Sequence, residues 1–216
     1  IWDGYCDSEV PVSKEEFRQS YVMAERELAK VRHILPHHNF YDLLLIKMRI
    51  ELGDLVARQV LAADYPVEPK AEAIARYCYD AARSSIEEAR PTLEALYARY
   101  PMVLVSNFYG NVESVLSDFD VRKYFGTIVE SAVVGVRKPD PKIFALGVEA
   151  LGLKPEEVVD VLKIYQTFDP ILKREPLPHS PLNDEAKLVW QRYSNEAPEV
   201  LTTTVERLKE YFKGCA

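Results

Sequence analysis

The sequence predicts an α/β fold, a helical bundle followed by a parallel sheet, on two observations. From about Val10 to Arg99 apolar residues recur at three- and four-residue steps, the spacing of one helix face. From Pro101 onwards short apolar runs alternate with helical segments, as in strands joined by crossover helices that cover both faces of a sheet.

The first long helix is predicted to begin at Lys14. Ser13 and Glu16 have the S-x-x-E spacing of a capping box, and Val12 and Phe17 are placed for a hydrophobic staple. Phe17, Tyr21, Ala24, Leu28 and Val31 form its apolar face, and Pro36 is expected to end it. A second helix, from about Tyr41 to Leu61, carries Leu44, Met48, Leu52, Leu55 and Val56. A third, from about Ala71 to Ala89, carries Ile74, Tyr77, Ala81 and Ile86, with Pro66 and Pro69 read as the break between them.

In the second half, Met102 to Val105 reads as a buried parallel strand followed by the turn-prone stretch Ser106 to Asn111. Val112 to Leu116 is predicted as helix, Thr127 to Val129 as strand, Pro141 to Leu151 as helix and Glu157 to Val161 as strand. Leu188 to Trp190 and Val200 to Thr202 are candidate final strands, with Val205 to Phe212 as a closing helix.

A formal net charge of −7 with scattered Lys and Arg argues against nucleic acid as a partner, which is bound through clustered cations. No apolar run reaches the roughly 18 to 20 residues that span a bilayer, so no membrane partner is expected. Cys6, Cys78 and Cys215 are odd in number and contain no C-x-x-C pair, which fits a cytoplasmic protein without a disulfide framework. The chain opens at Ile1 without an initiator Met and reads as a truncated or processed product. Oligomeric state is not encoded in any feature of the sequence.

In an open parallel sheet, ligands bind beyond the carboxyl ends of the strands. Ser106 and Asn107 fall at that edge, where the Ser106 hydroxyl and the amides of the following turn are candidates to bind an anion such as phosphate. The alternative is that both are simply turn residues. Lys138, in Arg137-Lys138-Pro139-Asp140-Pro141, sits in a proline-flanked turn from which its ammonium could reach the same edge; its alternative is a solvated surface lysine.

Val103-Leu104-Val105-Ser106-Asn107, followed by Val136-Arg137-Lys138-Pro139-Asp140-Pro141-Lys142-Ile143-Phe144, resembles the second and third motifs of the haloacid dehalogenase-like hydrolases. Leu153-Lys154-Pro155-Glu156-Glu157-Val158-Val159 continues that resemblance towards the fourth motif. It implies a Rossmann-like parallel-sheet core over residues 100–216, here incomplete, with a helical cap domain over residues 1–99. It also implies a Mg2+-dependent phosphatase acting through an aspartyl-phosphate on a small phosphorylated metabolite. Carried onto this chain, Ser106 would hold a phosphoryl oxygen, Asn107 would help position substrate or nucleophile, and Lys138 would stabilise charge.

Two departures follow. No D-x-D-x-[TV] follows an apolar strand: Asp118-Phe119-Asp120 falls at a helix end, and Ile1-Trp2-Asp3-Gly4 matches only the tail of such a motif, so that Trp2 to Val22 fits better as the start of the cap. Turnover by these residues is therefore not expected, and the alternative is a non-catalytic binding or interaction protein that keeps the fold. The fourth motif is also displaced, because Asp160 arrives inside the predicted strand and Val161 to Ala186 lacks a G-D-S turn. Metal ligands are unassigned, with Asp160 and Asp169 the nearest acids.

His33, His37 and His38 lack a carboxylate nearby in sequence and read as a polar loop. Tyr65, Tyr77, Tyr79, Tyr97 and Tyr100 are expected to pack the helical part against the rest. Asp184 to Arg192 reads as a solvated helical face.

Overall fold

The structure is a computed structural model describing residues 1–158 of the 216. Ile1–Gly152 forms one compact unit. Helix α1 (Trp2–Asp7) is followed by α2 (Lys14–Lys30), α3 (Phe40–Ala57) and α4 (Val67–Tyr97). Strand β1 (Val103–Ser106), α5 (Val112–Asp118), a 3-10 turn at Arg122–Tyr124 and β2 (Thr127–Glu130) come next, then α6 (Ser131–Val134) and α7 (Pro141–Leu151).

The α2 capping box forms as its sequence requires: Glu16 N–H donates to Ser13 Oγ at 3.3 Å and Ser13 N–H to Glu16 Oε2 at 2.7 Å. The helix stops at Lys30, well before Pro36. Val31 is extended, and the chain turns so that Ile34 buries with Leu28 and Leu43. Burial of one isoleucine therefore sets this end, in place of the proline. Helix α3 starts one residue earlier than its apolar pattern suggests, because Asn39 and Asp42 make a second capping box. It ends at Ala57 because Gln59 takes a left-handed φ of 60°, which returns Val60 and Leu61 onto the Leu55 carbonyl.

Helix α4 has 31 residues and is far longer than expected from Ala71 to Ala89. Pro66 is its N-cap and Pro69 lies in its first turn, where backbone N–H groups have no intrahelical partner to lose. Pro91 is carried inside the helix. Helix α3 packs against both α2 and α4, and α1 lies on α4. Gly4 permits that approach: a Cβ there would stand 3.2 Å from Ile74 and 3.3 Å from Cys78 and Tyr77. Tyr5, Met48, Leu52, Leu55 and Ile74 are fully enclosed between these helices.

The central helix also buries charge. Glu51 is 0% exposed and accepts from the Tyr5 hydroxyl at 3.0 Å through Oε2, while Oε1 has no partner. Burial pushes its carboxyl up to about 7, against the pull of Lys47 and of the Tyr5 hydrogen bond. Lys47, 4% exposed, pairs with Glu25 on α2 and lies 3.9 Å from the centre of the Tyr21 ring.

Strands β1 and β2 are parallel, with Val103 opposite Thr127 and Ser106 opposite Glu130. Helix α7 packs on both strands. Asp140 caps it by accepting from Lys142 N–H at 2.9 Å, Pro141 opens it, and Gly152 closes it at a φ of 65°. Gly147 faces β1, where a Cβ would come within 2.7 Å of Val105.

The described residues are thus helical with a small parallel two-stranded sheet, and β1 is half-buried throughout, where a fully buried strand was expected. Its described neighbours are β2 and α7, which leave part of each side chain uncovered. Of the strand expected over Glu157 to Val161, Glu157 instead ends a 3-10 turn at Pro155–Glu157, Val158 has extended backbone, and the remainder lies outside the described residues. The candidate elements at Leu188 to Trp190, Val200 to Thr202, Val205 to Phe212 and Asp184 to Arg192 also lie outside them. No helix among the described residues is long and apolar enough to cross a membrane.

Candidate functional site

Ser106 ends β1, and Asn107 begins the loop to α5. The Asn107 side chain reaches the turn that carries Lys138: Oδ1 accepts from Lys138 N–H at 2.8 Å, and Nδ2 donates to the Lys138 carbonyl at 3.0 Å. That turn is closed by Asp140 N–H donating to the Arg137 carbonyl at 2.9 Å, and its Lys138–Pro139 peptide is cis. The Lys138 ammonium lies 5.9 Å from the centre of the Phe144 ring. Two segments distant in sequence therefore meet at the carboxyl end of β1, with Ser106 next in chain to the residue that joins them.

Three amides of the loop after Asn107 have partners within the protein. Phe108 N–H donates to Ser131 Oγ at 3.3 Å, Gly110 N–H donates to Glu130 Oε1, and Val112 N–H donates to Glu130 Oε2 at 3.3 Å. Glu130 is 5% exposed and stands beside Ser106 in the sheet register. The anion at the start of α5 is thus the protein's own carboxylate, placed where N–H groups and helix dipole favour negative charge.

The loop is also tied to the helical part. Tyr109 donates its hydroxyl to Glu25, with Oε1 at 3.0 Å and Oε2 at 2.9 Å, and burial raises its phenol well above the usual range. Asn111, 1% exposed, donates to the His38 carbonyl at 2.9 Å, and Ser114 donates to the Pro36 carbonyl at 2.6 Å. Tyr109, Glu130 and Ser131 were not singled out by sequence. Glu130 follows an apolar run as many surface acids do, and only strand pairing puts it beside Ser106 and under α5.

The remaining candidates resolve into structural roles. Asp118 accepts from Tyr79 at 2.8 Å, and Asp120, at a left-handed φ of 53°, pairs with Lys123 at 2.7 Å. His33 does have a carboxylate partner, Glu27 at 2.8 Å, because the loop folds back on α2. Tyr79 stacks on Phe119 and Tyr97 meets Tyr124 edge-on, so these two join α4 to the segment after β1; Tyr77 and Tyr100 are exposed. Asp3 lies in the first turn of α1, not at the end of a strand. Cys6 and Cys78 are free thiols, and burial raises the Cys78 thiol.

Among the described residues no three His, Cys, Asp or Glu side chains are arranged to hold a metal ion, so the Mg2+ implied by the sequence resemblance has no ligand set there. Asp160 and Asp169 lie outside the described residues.

Comparison with known proteins gives two findings. Over 57 residues the chain is 40% identical to acyl-CoA dehydrogenase family member 10 of Mus musculus, a stretch that is 26% of this chain and 5% of that protein. The chain thus spans only a small fraction of that relative. The family model of haloacid dehalogenase-like hydrolases matches residues 3–161, the stretch that holds β1, Asn107 and the Lys138 turn. This chain belongs to the haloacid dehalogenase-like hydrolases.

Proposed function

We propose that this chain is a cytoplasmic phosphatase scaffold for a small phosphorylated metabolite, with residues 1–99 acting as a cap over a core presenting Ser106, Asn107 and Lys138. The observation that supports it is the Asn107–Lys138 pairing, which sets a lysine turn beside the end of β1. In this reading the Ser106 hydroxyl donates to a phosphoryl oxygen and the Lys138 ammonium neutralises its charge. Members of this family generally use Mg2+, and that requirement is proposed here with its ligands beyond the described residues.

A specific observation favours a second reading, binding without turnover. No D-x-D-x-[TV] follows an apolar strand in these 216 residues, and removing a covalent nucleophile typically costs several orders of magnitude in rate.

Titration with orthophosphate tests the shared part. Saturable binding, weakened about tenfold by Lys138→Ala and also weakened by Ser106→Ala, is expected. Binding indifferent to both changes would sink the site. A panel of phosphate monoesters with Mg2+ separates the readings: phosphate release by this chain removes the non-catalytic one, and binding without release selects it.

A further inference from the structure

The Asn107 amide has little left to offer a ligand. Its oxygen accepts from the Lys138 N–H at 2.8 Å, its nitrogen donates to the Lys138 carbonyl at 3.0 Å, and one amide hydrogen remains. Both bonds go to backbone, so they fix where the Lys138 side chain starts, whatever that side chain is. On the far side of the turn, Asp140 bonds the Arg137 carbonyl through its N–H and caps Lys142 through its side chain. The turn is therefore anchored at both ends, one anchor being a residue at the tip of β1.

We infer that Asn107 is a positioning residue, which directs the Lys138 ammonium at an anion bound at the end of β1 and does not bind that anion itself. This rests on the phosphate-binding reading above. It places Ser106 and Lys138 in contact with the ligand and Asn107 one step behind them.

A double-mutant cycle on the full chain tests it, with orthophosphate as the probe and unfolding followed on the same four proteins. Asn107→Ala is expected to weaken phosphate about three- to tenfold in the parent, and less than about twofold when Lys138→Ala has already removed the ammonium. Stability should behave oppositely and fall by the same amount in both backgrounds, because Lys138→Ala retains the backbone groups that Asn107 holds. A purely structural role predicts equal effects on binding in both backgrounds, as does direct ligation; either result overturns the inference. If the parent binds no orthophosphate, the phosphate-binding reading fails by itself. Positioning is then decided by the acetylation rate of Lys138 relative to Lys142, read by mass spectrometry: a severalfold change in Asn107→Ala sustains it and an unchanged ratio overturns it.

Discussion

The Tyr5 hydroxyl donates to Glu51 at 3.0 Å with both side chains fully enclosed, and the second Glu51 oxygen has no partner. Burial holds the Glu51 carboxyl protonated up to about 7, against a reference of 4.5. The folded chain therefore keeps a proton that the unfolded chain releases between those values. Its contribution to stability is full below about pH 4.5 and is lost as pH rises through about 7. A shift of that size corresponds to about 3 kcal/mol. Glu51→Gln, which still accepts from Tyr5, should flatten this dependence and stabilise the chain at alkaline pH. Urea midpoints at about pH 5 and about pH 9 decide it: a parent no less stable at the higher value, relative to the variant, contradicts the assignment.

Glu130 holds the start of α5 by accepting from Gly110 and Val112. Glu130→Ala leaves those amides without their acceptor and should destabilise by about 2–3 kcal/mol, with Glu130→Gln costing about half as much because the charge assistance is lost. Amide hydrogen exchange at Gly110 and Val112 should quicken before the rest of the unit. Unchanged protection there would show that the carboxylate is not their partner in solution.

Two helix glycines should respond in opposite directions. Gly147→Ala drives a methyl to 2.7 Å from Val105 and should cost about 1–3 kcal/mol net of its gain in helix propensity. Gly53 on α3 has nothing within 4 Å of a built Cβ, so Gly53→Ala should stabilise by about 0.5–1 kcal/mol. Adding Val105→Ala to Gly147→Ala should recover part of the loss, and strict additivity would place the clash elsewhere.

Tyr109→Phe removes the hydroxyl shared by both Glu25 oxygens and should cost about 1–2 kcal/mol. Because Lys47 still pairs with Glu25, the helices should stay folded while the loop from Phe108 to Gly110 exchanges faster. Equal acceleration across α2 and α3 would mean that Tyr109 supports the bundle and not the loop.

The element types were legible because their signals are local. Ser13 and Glu16 announce α2, Asp140, Pro141 and Gly152 bracket α7, and the run from Val103 precedes a turn-rich segment. The misread ends have separate causes: Ile34 burial stops α2 before Pro36, Pro69 falls in the first turn of α4, where a missing N–H breaks no helical bond, and Pro91 is carried inside the same helix. At the site, Ser106 and Lys138 were visible as turn residues beside apolar runs. That Asn107 grips the Lys138 backbone, and that Glu130 accepts from the Gly110 and Val112 amides, depends on strand register and a crossing of chain segments that residue spacing does not encode.

Helix α3 has only one depth at which its polar groups are matched. Glu51 meets Tyr5 of α1, Lys47 meets Glu25 of α2, and Asp54 accepts from Ser20 at 2.5 Å while pairing with Arg58. Leucines and methionines alone would let such a helix slide by a turn at small cost, since one aliphatic contact replaces another. Here a slide strands a buried carboxyl group and an ammonium in apolar surroundings together, a penalty of several kcal/mol that locks the bundle's register.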